Sequence, residues 1–374
     1  MVRRPALWQW MRSPLWACPL IAALGCSGGG GAGGTGDDDD DVPCDPATES
    51  CVLSKTTSTM DVGAGVEDED LCQSWTLDNE TDLWVTQIKQ SNGGAYHHAN
   101  WFFVPDDQFV APDGTWKCSD LDFSELAAAV SGGYLFALST QSSGETQTIP
   151  AGGAIRIPRF SRLIGASHIL NASDQTLSTQ MNIELTTIPR DQVRASLVPS
   201  RITYHDLALQ PQGRSSFSTD CQLADSYEQV VKTPFQYKLY YALSHYHVLG
   251  AYAELSIAGG PRDGEVIMRN EGFGENFGTP IDPPLDLAAA GATGLRFVCG
   301  FNNPRAEVVG WGIGDQEMCV LALQAETDMA FDGEVEDGAG AQVGTGGDGE
   351  AQFSGPCQML AFKWDHDKPG GPDR

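Results

Sequence analysis

From Leu71 onward the chain is a succession of short β-rich runs. NWFFV, GYLFAL, GAIRIP, QMNIEL, FQYKLYYALSHYHVL, GAYAELSI, GEVIM, LRFVCGF, CVLALQA and MLAFKW are each broken off by Gly, Pro, Asn or Asp. Such spacing predicts an all-β fold built as a sandwich. At 374 residues the chain can bury more than one core. The expectation is two consecutive antiparallel, jelly-roll-like β-sandwiches over residues 71–195 and 196–368. One stretch reads as helical, SELAAAV at Ser124 to Val130, with Ser124 as its N-cap. The segment PRDQVRASLVPSR, from Pro189 to Arg201, is polar with Pro near each end and reads as an inter-sandwich linker. The Gly-rich acidic stretch from Asp332 to Glu350 reads as a solvated loop to which no chemistry is assigned.

The N-terminus has a different character. Arg3, Arg4 and Arg12 precede an apolar run, Leu15 to Leu24, that is too short to span a bilayer and ends at Gly25-Cys26. Residues 1–25 resemble a bacterial lipoprotein signal, which implies lipidation of Cys26 and anchoring to the outer membrane, facing the periplasm or the cell surface. Ala23 stands where Leu is usual, so ordinary cleavage or an uncleaved anchor stays open, as does a start at Met11. Arg3-Arg4 is similar to a twin-arginine signal without its surrounding residues. The Gly run and Asp37 to Asp41 that follow cannot bury a core, so residues 26–70 read as a disordered, self-repelling tether.

The formal net charge is −28, and loss of residues 1–25 would remove three Arg and no acid. Nucleic acid is excluded as a partner on that ground, and a membrane is engaged only through the lipid anchor. Of ten cysteines, eight remain beyond Cys18 and Cys26. In an exported chain they read as disulfides, and without a C-x-x-C pair a zinc site is disfavoured.

Only seven histidines are present, and five fall in three places: Tyr96-His97-His98-Ala99, His168 in LIGASHILNAS, and His245 and His247 in LSHYHVLG. Strand side chains alternate faces, so the odd positions Phe235 to Leu249 form one apolar face ending in two imidazoles. That pair suits chelation of one metal ion, or equally a polar patch at a strand end. Adjacent His97 and His98 could share an ion only at a strand end or a bulge. Met318, in GWGIGDQEMCVLAL, reads on its own as a core methionine. As a ligand, its soft thioether would select copper over zinc.

Taken together, HH, the lone His168, H-x-H and EMC at Glu317-Met318-Cys319 resemble the copper type II, ascorbate-dependent monooxygenases. This is the family of peptidylglycine α-hydroxylating monooxygenase and dopamine β-monooxygenase, matched in order and rough spacing from Cys72 to Trp364. The resemblance implies two copper ions. His97, His98 and His168 would hold the one that stores an electron; His245, His247 and Met318 would hold the one where O2 is activated. It further implies C–H hydroxylation with ascorbate or a similar reductant as co-substrate. It also implies disulfides Cys72–Cys118, Cys299–Cys319 and Cys221–Cys357, leaving Cys44 and Cys51 to close a small loop in the tether.

Departures from the family bear on substrate. Leu243 stands where the peptide-amidating branch has a carboxylate-binding Arg. Val320 and Ala322 stand where it has Asn and Tyr, and no Cys follows His98 closely. A small-molecule or peptide-like substrate without charge is the expectation. A non-enzymatic copper lipoprotein for storage, delivery or electron transfer would carry the same ligands. A metal-free adhesive sandwich would treat all the histidines as packing.

Overall fold

The computed structural model describes residues 44–138, 142–273, 278–312 and 314–367, so the expectations for the signal, for Cys26 and for the tether up to residue 43 lie outside the described residues. The described chain is all-β. One large sheet is shared by both halves, with strand order Cys51–Thr56, Met181–Thr187, Leu83–Asn92, Gly153–Ile157, Ala195–Tyr204, Val320–Glu326, Lys238–His245 and Gly278–Asp286. Against its first half packs a five-stranded sheet ordered Gly114–Lys117, Glu67–Thr76, Ser161–Leu170, Tyr96–Pro105 and Gly133–Ala137. Against its second half packs a six-stranded sheet that includes Gly213–Gln222, Gly250–Ala258 and Gly294–Asn303.

Period-two burial builds each core. Trp101, Phe103 and Leu163 of the five-stranded sheet meet Val85, Ile183 and Leu185 of the large one. Phe217, Phe297 and Phe301 meet Leu239, Leu321 and Leu323 in the second sandwich. The two sandwiches are therefore not beads on a linker. Ala195–Tyr204 lies inside the shared sheet, parallel to Gly153–Ile157 and antiparallel to Val320–Glu326, so a boundary at 195/196 cuts through a central strand. The segment expected as a linker supplies one short 3-10 turn, Arg190–Gln192, and then this strand. Leu197, Val198, Ile202 and Tyr204 are buried, Leu197 in the first core and Ile202 and Tyr204 in the second, which overrides the polar composition.

Two further expectations are corrected. Residues 51–70 are not tether: Cys51–Thr56 pairs with Met181–Thr187 over six positions, and Cys51 and Val62 are buried. The acidic run Glu67–Asp70 opens a strand that keeps those carboxylates at the surface. The 332–350 stretch is not all loop: Asp332 lies in Met329–Val335, and Ala341–Thr345 is a strand.

The helix Glu125–Ser131 forms as expected, with the Ser124 hydroxyl accepting from the Ala127 amide. A second helix, Leu223–Val231, was not anticipated; it buries Leu223, Tyr227 and Val231 at i, i+4 and i+8. Disulfides join Cys44–Cys51, Cys72–Cys118, Cys221–Cys357 and Cys299–Cys319, the pairs named above.

Candidate metal centre

Two β-bulges aim the histidines. On Tyr96–Pro105, His98 pairs with His168 and Tyr96 pairs with Ile169, so His97 is an extra residue with no partner position on the neighbouring strand. That bulge lets both imidazoles serve one place, with ring centroids 5.3 Å apart. His168 lies 5.0 Å from His97 and 5.1 Å from His98.

On Lys238–His245 the register advances two residues, Leu239 to Tyr241, while Val320–Glu326 advances one, Ala325 to Gln324. Tyr240 is therefore extra, and the face reverses at this point. Before it, Tyr237 and Leu239 face the second core; after it, Ala242 and Tyr246 do. Tyr241 and Leu243 instead join the first core. The uninterrupted odd-numbered face expected from sequence is broken here. His245 and His247, 5.2 Å apart, are turned toward the first sandwich as a result.

All five imidazoles consequently meet. His97 is 5.2 Å from His247, and His98 is 5.5 Å from His245. Ligating atoms of His97, His98 and His247 lie within 4.8 Å of one another. The structure shows one cluster drawn from both halves, with no gap separating a first triad from a second. His366 stands apart and faces Asp328, while His205 is outside the cluster, facing Glu334 and Trp311, but lines the same cavity.

Hydrogen bonds fix which nitrogens remain available. His247 Nδ1 lies 2.9 Å from the Gln316 carbonyl, which can only accept, so Nδ1 carries the proton and Nε2 keeps its lone pair. That Nε2 is buried without a hydrogen-bond partner, as are Nδ1 of His98 and Nδ1 of His168. His168 Nε2 faces a Glu67 carboxylate oxygen at 3.1 Å, the usual way a carboxylate orients an imidazole. Burial, with the surrounding imidazoles His245, His97, His168 and His247, holds the His98 pKa well below 6.5. Burial likewise lowers His247 to about 4. Neutral imidazoles with orphaned lone pairs are what a soft or borderline metal ion requires, so the residues present fit copper.

Glu317, the first residue of EMC, has a role that no sequence pattern marks. It is 1% exposed, and its two oxygens accept from the amides of His247 at 2.8 Å and Leu249 at 2.7 Å. Burial raises its pKa to about 7 against the opposing pull of those amides.

The cluster opens on a cavity of about 410 Å³ lined by His98, His168, His245 and Met318. One wall is the outer face of the five-stranded sheet, with Asn100, Phe102 and Ala166. Across from it, register sets Arg201, Ala322 and Leu243 in one row and Thr203, Val320 and His245 in the next. Leu360, Phe362 and Trp364 also line it. Arg201 is gripped by both Asp332 oxygens, and Asn100 donates to Glu125, while the Glu69 carboxylate also lines the cavity.

No family model matches the chain, and no curated protein matches it. Solved structures that it resembles include the cowpea mosaic virus top component, at TM-score 0.30 and 8% identity, covering 78% of this chain and 96% of that one. Others are PNGF-II, at TM-score 0.27 and 11% identity with 73% and 65% covered, and the Kashmir bee virus empty particle at acidic pH, at 0.21 and 12% with 38% and 96% covered. None of these likenesses carries an argument about the metal centre.

Proposed function

We propose that this chain is a copper-dependent monooxygenase, similar to the copper type II, ascorbate-dependent family, acting on a C–H bond of an uncharged organic substrate. One observation carries the reading: five imidazoles form one cluster, three of them, His98, His168 and His245, line a cavity together with Met318, and ring nitrogens of His98, His168 and His247 are buried without a hydrogen-bond partner. A thioether in the set favours copper over zinc. Copper would supply one-electron redox chemistry with O2 and a reductant such as ascorbate. The chain's own contribution is to hold and to exclude. Glu67 and the Gln316 carbonyl set imidazole orientation, and the Cys299–Cys319 bridge pins the strand carrying Met318. Leu243, Ala322, Phe102 and Phe331 shape an apolar wall that offers no free cation to a carboxylate.

Export to an oxidising compartment, with lipidation at Cys26, belongs to the same proposal; the four disulfides support the compartment. The test is purified protein loaded with copper, supplied with ascorbate and a panel of apolar substrates. Substrate-dependent O2 uptake with a hydroxylated product is the expected result. Copper binding with no product across the panel would favour a storage or delivery protein, and failure to retain copper would end both readings.

A further inference from the structure

We infer that the first sandwich carries a second binding site, on the inner side of its five-stranded sheet, that takes the reductant of the proposed oxygenase, a small enediol monoanion such as ascorbate; the choice of that ligand rests on the copper reading above. The site is a cavity of about 270 Å³, several times the roughly 30 Å³ share of one water in the liquid. It is separate from the cavity that His98, His168, His245 and Met318 line. Register builds its floor: Gln73 pairs with Gly165 and Gly165 pairs with Trp101, so the three sit in one row across the sheet. Gly165 is required there, because a Cβ would come within 2.6 Å of the Trp101 indole. Two buried polar atoms of this row have no hydrogen-bond partner: Trp101 Nε1, which can only donate, and Gln73 Oε1, which can only accept. A buried donor and a buried acceptor left unmade on one cavity point to a ligand that supplies both partners.

An enediol monoanion matches this set. Its enolate oxygen accepts from the indole N–H, its neighbouring hydroxyl donates to the Gln73 amide oxygen, and its negative charge faces Lys55, an exposed residue that lines the same cavity and forms no ion pair among the described residues. Asp113, the acid among the lining residues, is already engaged by the amide and hydroxyl of Thr76. The cavity also connects to the metal centre through one side chain. Gln73 Nε2 donates to the Tyr96 hydroxyl at 3.0 Å, and Thr57, another lining residue, hydrogen-bonds the same phenol. Tyr96 packs in the first core with Trp101, whereas His98 lines the cavity on the outer face of the sheet, and the bulge at His97 carries the chain from one face to the other. The bound reductant thus sits beside the partners of a phenol that adjoins His97 in the chain. There the monoanion gives up one electron, which takes copper from Cu(II) to Cu(I), and one proton, which passes to solvent, and it leaves as its radical anion.

The test has two arms, each run on the full chain with Trp101→Phe and Lys55→Gln beside wild type. In the first, sodium ascorbate is titrated anaerobically into the apo protein and followed by ligand-observed NMR. In the second, copper-loaded protein is mixed with ascorbate, or with dithionite as a reductant that lacks an enediol, and loss of the Cu(II) electron paramagnetic resonance signal is timed. Wild type is expected to bind ascorbate and to show a reduction rate that saturates with it. Trp101→Phe should weaken both at least tenfold, by loss of a donor to a charged oxygen, and Lys55→Gln about threefold, with the dithionite rate unchanged in each. Lys55 is exposed, so its variant tests the site even where Trp101→Phe does not fold, which apo melting reveals. Absence of binding to apo wild type with a rate linear in ascorbate, or equal affinity in wild type and both variants, would show that the cavity holds water only and would overturn the inference while leaving the copper reading standing. Ascorbate binding that both variants weaken, in a chain that retains no copper, would support the site and remove the copper reading.

Discussion

The Glu317 carboxylate holds the His247 amide at 2.8 Å from inside the protein, one residue away from Met318 in the chain. A single buried side chain thus connects the H-x-H turn to the segment that presents the thioether, and its second oxygen holds Leu249 beyond the turn. Removal of an acceptor that serves two buried amides leaves both unsatisfied, at a cost of about 1–3 kcal/mol each. Glu317→Ala should lower apo stability by about 2–6 kcal/mol in urea unfolding and weaken copper binding. Glu317→Gln keeps one acceptor oxygen and should recover roughly half of the lost stability. Equal stability of Glu317→Ala and wild type would show that the turn does not depend on this contact.

Acid should act on the apo protein through three buried groups of opposing sign. His247 titrates near 4 when folded and near 6.5 when unfolded, so between those values the unfolded chain binds the extra proton and stability falls as pH falls. His98 acts in the same direction. Glu317 titrates near 7 when folded against 4.5 unfolded, so its contribution grows as pH falls through that window. The His247 and Glu317 effects are opposite in sign and common to wild type and His98→Ala, so the comparison of those two proteins isolates His98. Between pH 7 and pH 5 wild type should therefore lose more melting temperature than His98→Ala does. Parallel curves for the two proteins would contradict this.

Part of this centre was legible in the sequence, and the reason is local. SELAAAV carries its own N-cap, and runs such as QMNIEL and LRFVCGF carry period-two burial. What escaped depends on partners far along the chain. Residues 51–70 look like tether because their acids dominate the composition, yet Cys51–Thr56 is fixed by backbone pairing to Met181–Thr187. The helix Leu223–Val231 has an apolar stripe only three residues long. Alternation along FQYKLYYALSHYHVL predicts one unbroken face, and a single extra residue, Tyr240, reverses it. The convergence of His97 with His247 follows from that reversal and from the shared sheet, neither of which strand periodicity encodes.

Gly250 is a packing requirement of the same turn. A Cβ there would overlap the ring of Tyr246, which is fully buried in the second core between the two histidines turned toward the first sandwich. Gly250→Ala must displace that ring, at about 1–3 kcal/mol for overpacking. Because Tyr246 lies between His245 and His247, the same shift should reduce copper affinity. The combined readout is apo melting temperature and copper titration. A destabilised variant with unchanged copper affinity would show that the ring moves without moving the histidines.

The Cys299–Cys319 bridge makes a separable contribution. It closes a loop with a sequence separation of 20 and joins the centre of the six-stranded sheet to the residue beside Met318. Loop closure of that length is worth about 3 kcal/mol through the unfolded state. Cys319 is also fully buried in the second core, while Met318, Val320 and Ala322 point the other way into the cavity. Replacement of both cysteines by Ala should therefore lower unfolding stability by about 3 kcal/mol or somewhat more, since a small void is left. It should also loosen the strand that places the thioether while leaving His97, His98 and His168, on the strands of the other sandwich, in position. The expected signature is a first copper equivalent bound with near wild-type affinity and a weakened second equivalent. Loss of both equivalents from a variant that still folds would mean that the bridge supports the whole cluster and not only the Met318 side.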